Sequence, residues 1–370
     1  AKKFDRMRHY VAMSIHLMAA FSIVMTIGFS LANKPILHLM NSPEEVFGDV
    51  TAYMGIIYAG LIITGAYNAL AAFLRALGDS KSPLYFLIIS AVINVILDVV
   101  FIVVFGMGVE GCGYATVIAQ GISAVCCLIY IVKRFPILHL ERKDFEICWD
   151  SFGRLLKLGI PMGLQYSITA IGSVILQTAV NGLGSTAVAS VTAAGKISMF
   201  CCCPFDALGS TMATYAGQNV GAKKMDRVNT GILTSSIIGS VYSVVILGVM
   251  FLWSRQISLL FVDASETVIL DQARQMLLIN MVFYIPLTLV NVVRFTVQGM
   301  GFSKFAILAG VCEMIGRSVV AFFLVPYFGY TAVCFASPVA WILADLFLVP
   351  AYLYCAKTLR SLFEKNAQMM

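Results

Sequence analysis

Two polar residues stand four positions apart inside a long apolar run. Asn94 and Asp98 lie within residues 84–105, a stretch composed mostly of aliphatic and aromatic residues. On an α-helix this spacing places both side chains on one face. A carboxylate beside an amide oxygen suits a hard cation such as sodium, and a partly desolvated carboxylate can instead carry a proton. The remaining alternative is a buried hydrogen bond that only fixes helix packing.

Four further charged residues interrupt apolar runs. Glu313 and Arg317 are four positions apart, which favours an ion pair within one helix and lowers the cost of burying both charges. Contact of this pair with a substrate or a proton is the alternative. Lys196 and Asp206 are ten positions apart, about 280° around a helix, so they do not stack on one face. Pro204 between them is expected to kink or open that helix.

The elements that position these residues are predicted to be membrane-spanning helices. Of the 370 residues, 60% are hydrophobic and 12% are charged, whereas soluble proteins average roughly 25% charged residues. The apolar runs are about 20 residues long and continuous, which suits helices crossing the bilayer and not alternating barrel strands. We predict ten spans, at about 10–33, 51–74, 84–105, 111–132, 154–181, 186–216, 228–252, 272–298, 305–328 and 331–354.

The distribution of lysine and arginine predicts the orientation of these spans. Twenty of the 25 basic residues, with Arg294 counted among them, fall on one side of the predicted spans. Lys34, Arg255 and Arg274 fall on the other side. Because basic loops stay in the cytoplasm, both chain ends are expected there, in a bacterial plasma membrane. This topology also accounts for the formal net charge of +6, so nucleic-acid binding is not expected.

An internal repeat organises the chain. The opening AKKFDR recurs as AKKMDR at 222–227, and the similarity continues at an offset of 221 to 223. It pairs 68–81 with 291–304, 105–106 with 328–329 and 114–116 with 335–337. Two spans precede the second AKK segment and none precedes the first, so we expect the intact protein to have two more helices before residue 1.

The predicted fold is therefore an all-α polytopic membrane protein with two six-helix lobes, related by a pseudo-two-fold axis along the membrane normal. Residues 1–132 would form the N-terminal lobe, with four of its six helices present. Residues 133–153 would form a charged cytoplasmic linker, and residues 154–370 the C-terminal lobe.

Several motifs resemble those of the multidrug and toxic compound extrusion (MATE) antiporters. They are RALGDSKSPLYF at 75–86, NVILD at 94–98, GIPMGLQ at 159–165 and GQNVGAKKMDR at 217–227. The resemblance covers the entire chain. It implies export of bulky, often cationic organic compounds in exchange for sodium or protons, by alternating access of two lobes.

The resemblance also implies a cation site. One branch of the family forms it from an Asn and an Asp one turn apart, a Thr on the next helix and an Asp on the first helix. Asn94, Asp98 and Thr116 match the first three ligands, and the fourth would lie before residue 1. A second branch carries an acidic residue after the proline of its GIP motif. Residues 161–169 contain no carboxylate, which puts that site in doubt.

Other function classes are less well supported by the residues. A flippase for a lipid-linked cell-envelope precursor would need several cationic cavity residues, and only Lys196 and Arg317 are candidates. A receptor or scaffold would not need Asn94 beside Asp98, and no enzyme motif is present. We expect a monomer in the lipid bilayer that takes small organic substrates together with sodium or a proton. Apart from that possible sodium ion, no cofactor or metal is expected, and the ten cysteines are interpreted as small packing residues.

Overall fold

The structure is a computed structural model that describes residues 4–39 and 44–368, and every regular element in these ranges is helical. The α-helices are α1 (Phe4–Leu39), α2 (Glu44–Ala59), α3 (Leu61–Ala76), α4 (Lys81–Val99), α5 (Gly108–Arg134), α6 (Trp149–Asn181), α7 (Ser185–Gly221), α8 (Met225–Ser258), α9 (Thr267–Val282), α10 (Tyr284–Gly299), α11 (Ser303–Val319), α12 (Val325–Phe328) and α13 (Tyr330–Gln368). Single π-helical turns, Val100–Val104 and Val320–Leu324, extend α4 and α11.

The described helices agree with the predicted spans. Eight continuous helical stretches are long and apolar enough to cross a membrane, and the pairs α2/α3 and α9/α10 bring the number to ten if each pair is one span. Helices of this length satisfy their own backbone hydrogen bonds, as the bilayer interior requires. The predicted all-α polytopic class is confirmed.

Two predicted spans are bent, which their apolar pattern did not indicate. The axes of α2 and α3 differ by 43°, and those of α9 and α10 by 53°. The first bend is at Gly60, where a Cβ atom would come within 2.4 Å of Val117 Cγ2, so only glycine lets the bend pack on α5. At the second bend, Pro286 has no N–H to donate to the carbonyl of Val282, which weakens the helix at that point.

The repeat is visible in the backbone. Gly78 and Gly301 end helices α3 and α10 with φ of +92° and +93°, a conformation that glycine adopts without a steric penalty. Gly106 and Gly329 follow the π-helical turns with φ of +65° and +55°. Both pairs are separated by 223 residues, so the two glycines within each copy are 28 positions apart. Residues 78–106 of the first copy therefore align with residues 301–329 of the second copy without an insertion or deletion.

The chain divides into two compact units, one up to Leu155 and one from Leu156, with the boundary inside α6. In the first unit, α5 packs against α2, α3 and α4, and the core contains Leu74 and Cys127. In the second unit, α7 packs against α8, α9 and α10. Its core includes edge-to-face ring contacts of Tyr284 with Phe205 and Trp341.

The segment between α5 and α6 packs on the first unit. Helix α5 continues through Lys133 and Arg134, and α6 begins at Trp149, so the predicted linker 133–153 is helical at both ends. Between these helices, the buried Asp144 accepts a hydrogen bond from the backbone N–H of Glu141 (2.8 Å) and pairs with Arg8 of α1 (3.6 Å). The charged loop is therefore held against α1.

Candidate functional site

Helices α4 and α5 position the predicted cation-binding residues. The Ser90 hydroxyl donates to the Ala119 carbonyl (2.7 Å), and the Ser123 hydroxyl donates to the Phe86 carbonyl (2.8 Å). These two bonds fix an antiparallel register in which Thr116 lies at the level of Asn94. Small side chains such as Ala115 and Ala119 are buried along this side of α5 and allow the helices to approach closely.

Asn94 and Asp98 are half-buried on α4. The atoms Asn94 Nδ2 and Asp98 Oδ1 are buried and have no hydrogen-bond partner within the described part of the chain. Thr116 donates its hydroxyl proton to the carbonyl of Cys112 (2.9 Å), and its oxygen lone pairs remain able to accept. A carboxylate oxygen left without a donor is costly to bury, so this arrangement is suited to a cation or a proton.

Gln120 was missed by the sequence analysis. It lies one turn after Thr116 on α5, and its Oε1 atom is also buried without a partner among the described residues. The signal was present as a polar residue four positions from Thr116 in an apolar run, which places both on one helix face. Gln120 extends the polar face of α5 by one turn.

A buried ion cluster lies in the second unit. Arg317 Nη2 is 3.6 Å from Glu313 Oε2, as the spacing on α11 predicted. Arg294 of α10 donates from Nη2 to Glu313 Oε1. Glu313, Arg294 and Arg317 are only 3%, 7% and 9% exposed. The assignment of Arg294 to a basic loop was therefore wrong, because its side chain turns back into the helix packing towards a carboxylate.

Two polar contacts attach α6 to the helices α11 and α10 that carry this cluster. Arg317 Nη1 donates to the Thr169 carbonyl (3.2 Å), and Gln298 Nε2 donates to Gln165 Oε1 (2.5 Å). Both glutamines are buried. Sequence reasoning used Gln165 only as part of the GIPMGLQ motif and did not single out Gln298, although each is an uncharged polar residue in an apolar run.

Lys196 and Asp206 are exposed side chains on α7, and neither has a hydrogen bond or salt bridge to another described residue. The Lys196 ammonium lies 5.9 Å from the centre of the Phe261 ring, within the range of a cation–π contact. Helix α7 continues through Pro204 without a break, so the expected opening is wrong, and the kink, the other expectation for Pro204, stays a prediction. The surrounding packing preserves the helix even though Pro204 cannot donate a backbone bond.

Asp345 is a half-buried carboxylate on α13. Its Oδ1 atom is buried without a partner among the described residues. The residue lines an otherwise apolar groove of about 410 Å³ formed with Ile342, Leu346, Val349 and Pro350. A packing role and contact with a ligand both fit this geometry.

Two groups outside the spans have shifted pKa values. Burial raises the pKa of Asp79, but hydrogen bonds from the Ser82 backbone and hydroxyl and from the Tyr130 hydroxyl outweigh it, and the pKa falls below its ordinary value. At the start of α6, hydrogen bonds from the Ser151 backbone and side chain and from His9 lower the pKa of the Cys148 thiol to about 7. Asp79 therefore favours its ionised form, and Cys148 is partly ionised near neutral pH.

Ten apolar spans, a two-copy repeat and ionisable residues inside the spans define a polytopic α-helical membrane protein of the transporter class. The MatE family model matches residues 1–100 and 161–323, which together are more than half of the chain. The chain belongs to the MatE family, the multidrug and toxic compound extrusion transporters.

Curated relatives and solved structures agree with this assignment. The chain is 33% identical over 220 residues to the probable multidrug resistance protein YpnP of Bacillus subtilis (strain 168), covering 56% of this chain and 48% of YpnP. It is 28% identical over 339 residues to the probable multidrug resistance protein YoeA of the same organism, covering 88% of this chain and 72% of YoeA. The matched region thus spans about half the length of YpnP.

Among solved structures, a crystal structure of MATE in complex with MaL6 superposes with a TM-score of 0.89 at 20% identity, covering 96% of this chain and 80% of that chain. An outward-facing multidrug resistance MATE family transporter of the MOP superfamily gives the same TM-score at 20% identity, covering 94% and 78%. These likenesses establish the fold.

Proposed function

We propose that the protein is a cation-coupled antiporter that exports bulky organic compounds, often cationic ones, in an alternating-access cycle driven by sodium or protons. It would be a monomer in a bacterial plasma membrane, with both chain ends in the cytoplasm. The names of the relatives YpnP and YoeA, both described as probable multidrug resistance proteins, support the substrate class.

The observation that carries the proposal is Asp98. This carboxylate lies inside a membrane-spanning helix with a buried oxygen that no described residue bonds, and Asn94 lies one turn before it. A charge near the bilayer centre costs roughly 2.5 to 3.5 kcal/mol on insertion scales, so an unpaired carboxylate there is a functional candidate by default.

Coupling follows from charge neutralisation. A sodium ion held by Asp98 with oxygens of Asn94 and Thr116, or a proton held by Asp98 alone, would remove the cost of the isolated negative charge. The helix pair α4/α5 would then have a different energy with the cation or proton bound than without it. A ligand shifts a conformational equilibrium only through such a difference. An ion gradient could in this way drive the cycle.

The substrate contacts are a separate part of the proposal. Lys196 and Asp206 remain candidates because they are exposed charged groups on α7 that form no hydrogen bond or salt bridge with a described residue. Glu313 and Arg317 are less suited to binding substrate, because they pair with each other and with Arg294 in a buried cluster. The same pairing weakens the flippase alternative, for which Arg317 was one of two cationic candidates beside Lys196.

Ethidium efflux tests the proposal. Cells expressing the full-length protein, its Asp98→Asn variant or a matched control are compared under separately imposed sodium and proton gradients. Glu110→Gln is the control, since it removes an exposed carboxylate in the first turn of α5. We expect Asp98→Asn to reduce gradient-driven efflux to that of cells without the transporter, at normal membrane levels, while Glu110→Gln transports normally.

The gradient that drives efflux would identify the coupling ion. Unchanged efflux in Asp98→Asn would reduce this residue to a packing role and overturn the coupling mechanism. No efflux from the unmutated protein, under either gradient, would contradict the export of such compounds and favour a flippase.

A further inference from the structure

The two copies of the repeat differ in charge at corresponding positions of one scaffold. The equal spacing from Gly78 to Gly106 and from Gly301 to Gly329 pairs residues of α4 with residues of α11 at an offset of 223. The same offset relates α3 to α10. The pairs that matter are Ser90 with Glu313, Asn94 with Arg317, Asp98 with Ala321 and Ala71 with Arg294.

In the first copy, the carboxylate has no cation of its own. Asp98 forms no salt bridge with any described lysine or arginine, and its Oδ1 atom is buried without a partner. In the second copy, the position of Asn94 holds Arg317, and the position of Asp98 holds Ala321, which carries no charge. The carboxylate is instead Glu313, one turn earlier on α11, and it is paired with two guanidinium groups.

Arg317 contacts the kinds of atoms that a small cation would take as ligands. Its Nη2 atom is 3.6 Å from Glu313 Oε2, and its Nη1 atom is 3.2 Å from the Thr169 carbonyl oxygen. The Thr169 hydroxyl is buried nearby without a described partner, next to Gly310 of α11. Carboxylate, carbonyl and hydroxyl oxygens are the ligands that hard cations prefer.

We propose that Arg317 is a tethered cation that takes, in the second copy of the repeat, the place of the coupling cation that the first copy binds at Asp98. This inference rests on the coupling role proposed for Asp98. Neither guanidinium can dissociate, so Arg317 and Arg294 together neutralise the Glu313 carboxylate permanently, and Arg317 also holds α6 to α11 through Thr169. The chain then has one exchangeable cation site, and each transport cycle is coupled through that site alone.

Arg294 has a different role. It bonds the other oxygen of Glu313, Oε1, from the neighbouring helix α10. It therefore anchors the carboxylate and leaves Oε2 to face Arg317. Removing the Arg317 side chain would leave Glu313 Oε2 and the Thr169 carbonyl oxygen facing the space that the guanidinium vacates.

Equilibrium binding of ²²Na⁺ to the purified full-length protein tests this inference. All variants carry Asp98→Asn, so the first copy contributes no carboxylate and the result does not depend on whether Asp98 couples transport. We expect no bound sodium with Arg317 present, and about one sodium per chain with Arg317→Ala. Methylguanidinium, which reproduces the arginine head group, should displace that sodium, and adding Glu313→Gln should abolish its binding.

A folded Arg317→Ala protein that binds no sodium would overturn the inference, as would sodium binding that persists after Glu313→Gln. If Arg317→Ala does not yield folded protein, Arg317→Asn/Ala321→Asp rebuilds the first copy's pair in α11 and should bind one sodium ion. If a free cation can take the place of the Arg317 head group, methylguanidinium should also restore folding to these two variants. The inference would be contradicted if neither variant folds in the presence of methylguanidinium. Failure of the proposed function is detected by a different experiment, because it would appear as unchanged ethidium efflux in Asp98→Asn.

Discussion

Arg294 in α10 donates a hydrogen bond to Glu313 in α11, and both side chains are buried. With Arg317 one turn away on α11, a single carboxylate serves two guanidinium groups from two helices. Burying an ion pair is tolerable when the charges neutralise each other, whereas removing one partner leaves an uncompensated charge. The cluster therefore fixes α10 against α11, and through Thr169 it also fixes α6.

We expect Glu313→Gln to lower the free energy of unfolding by about 3–5 kcal/mol, because Arg294 and Arg317 lose the buried carboxylate with which both form salt bridges. The measurement is the melting temperature of the purified protein in detergent. Glu110→Gln removes an exposed carboxylate and should change stability by less than about 0.5 kcal/mol. Equal melting temperatures for the two variants would show that the cluster contributes nothing.

Gly299→Ala should destabilise the contact between α7 and α10. A Cβ atom at Gly299 would lie 2.2 Å from the carbonyl oxygen of Ala213, and a backbone atom cannot move aside as a flexible side chain can. We expect a loss of about 1–3 kcal/mol, measured as thermal unfolding. Gly248→Ala is the control: no atom lies within 4 Å of its Cβ position, so alanine in α8 should be neutral or stabilising. Equal effects of the two substitutions would contradict the close helix contact.

Asp79→Asn should reduce stability in a pH-dependent way. The Asp79 carboxylate accepts bonds from Ser82 N (3.0 Å), Ser82 Oγ (2.7 Å) and Tyr130 Oη (3.0 Å), and its pKa in the folded protein is lower than the ordinary 3.8. A lowered pKa adds stability above the unfolded-state pKa, and this stability is lost as pH falls through the folded-state value. Hydrogen bonds to a charged group contribute about 1.5–3 kcal/mol each, less at a partly exposed site.

The difference in melting temperature between the unmutated protein and Asp79→Asn should therefore be largest at pH 7. It should shrink towards zero as the pH drops below 3.8. Tyr130→Phe removes one of the three bonds and should show a smaller loss. A difference that stays constant down to pH 3 would mean that the ionised form of Asp79 has no special stabilisation.

Cys148 should react with alkylating reagents near neutral pH. Hydrogen bonds from the Ser151 backbone and side chain and from His9 favour the thiolate, and the pKa is about 7 instead of the ordinary 9. Because the thiolate is the nucleophile, the rate of alkylation should rise through a midpoint near pH 7 in a variant that retains only this cysteine. Ser151→Ala should move the midpoint upward. A midpoint near pH 9 in the single-cysteine variant that keeps Ser151 would show that the pKa of Cys148 is not lowered.

Much of the fold could be predicted from the sequence, because hydropathy reports directly on the membrane. Ten runs of about 20 apolar residues predicted the spans, and the recurrence of AKKFDR as AKKMDR predicted the repeat that Gly78 and Gly301 now mark in the backbone. The ion pair of Glu313 with Arg317 followed from their spacing on one helix. Each of these conclusions depends on the order of residue types along the chain and requires no knowledge of which helices touch.

The errors concern contacts between distant segments. Arg294 was counted with the basic loop residues of one side although it lies within the predicted span 272–298, and nothing local indicates that Glu313, 19 residues later, turns towards it. The bond between Gln165 and Gln298 joins residues 133 positions apart, and neither side chain alone predicts the other. The opening of α7 at Pro204 was expected from local rules, but packing keeps the helix continuous.

The sequence by itself determined that this is a helical membrane protein of two repeated units, because the cost of exposing polar backbone to lipid leaves few alternatives to apolar helices. It also singled out Asp98 as the unusual charge. Only the tertiary structure decided which charges have partners: Glu313 is shared by Arg294 and Arg317, whereas Asp98 Oδ1 has no partner among the described residues. That distinction depends on distances of a few ångströms between helices, which neither periodicity nor hydropathy encodes.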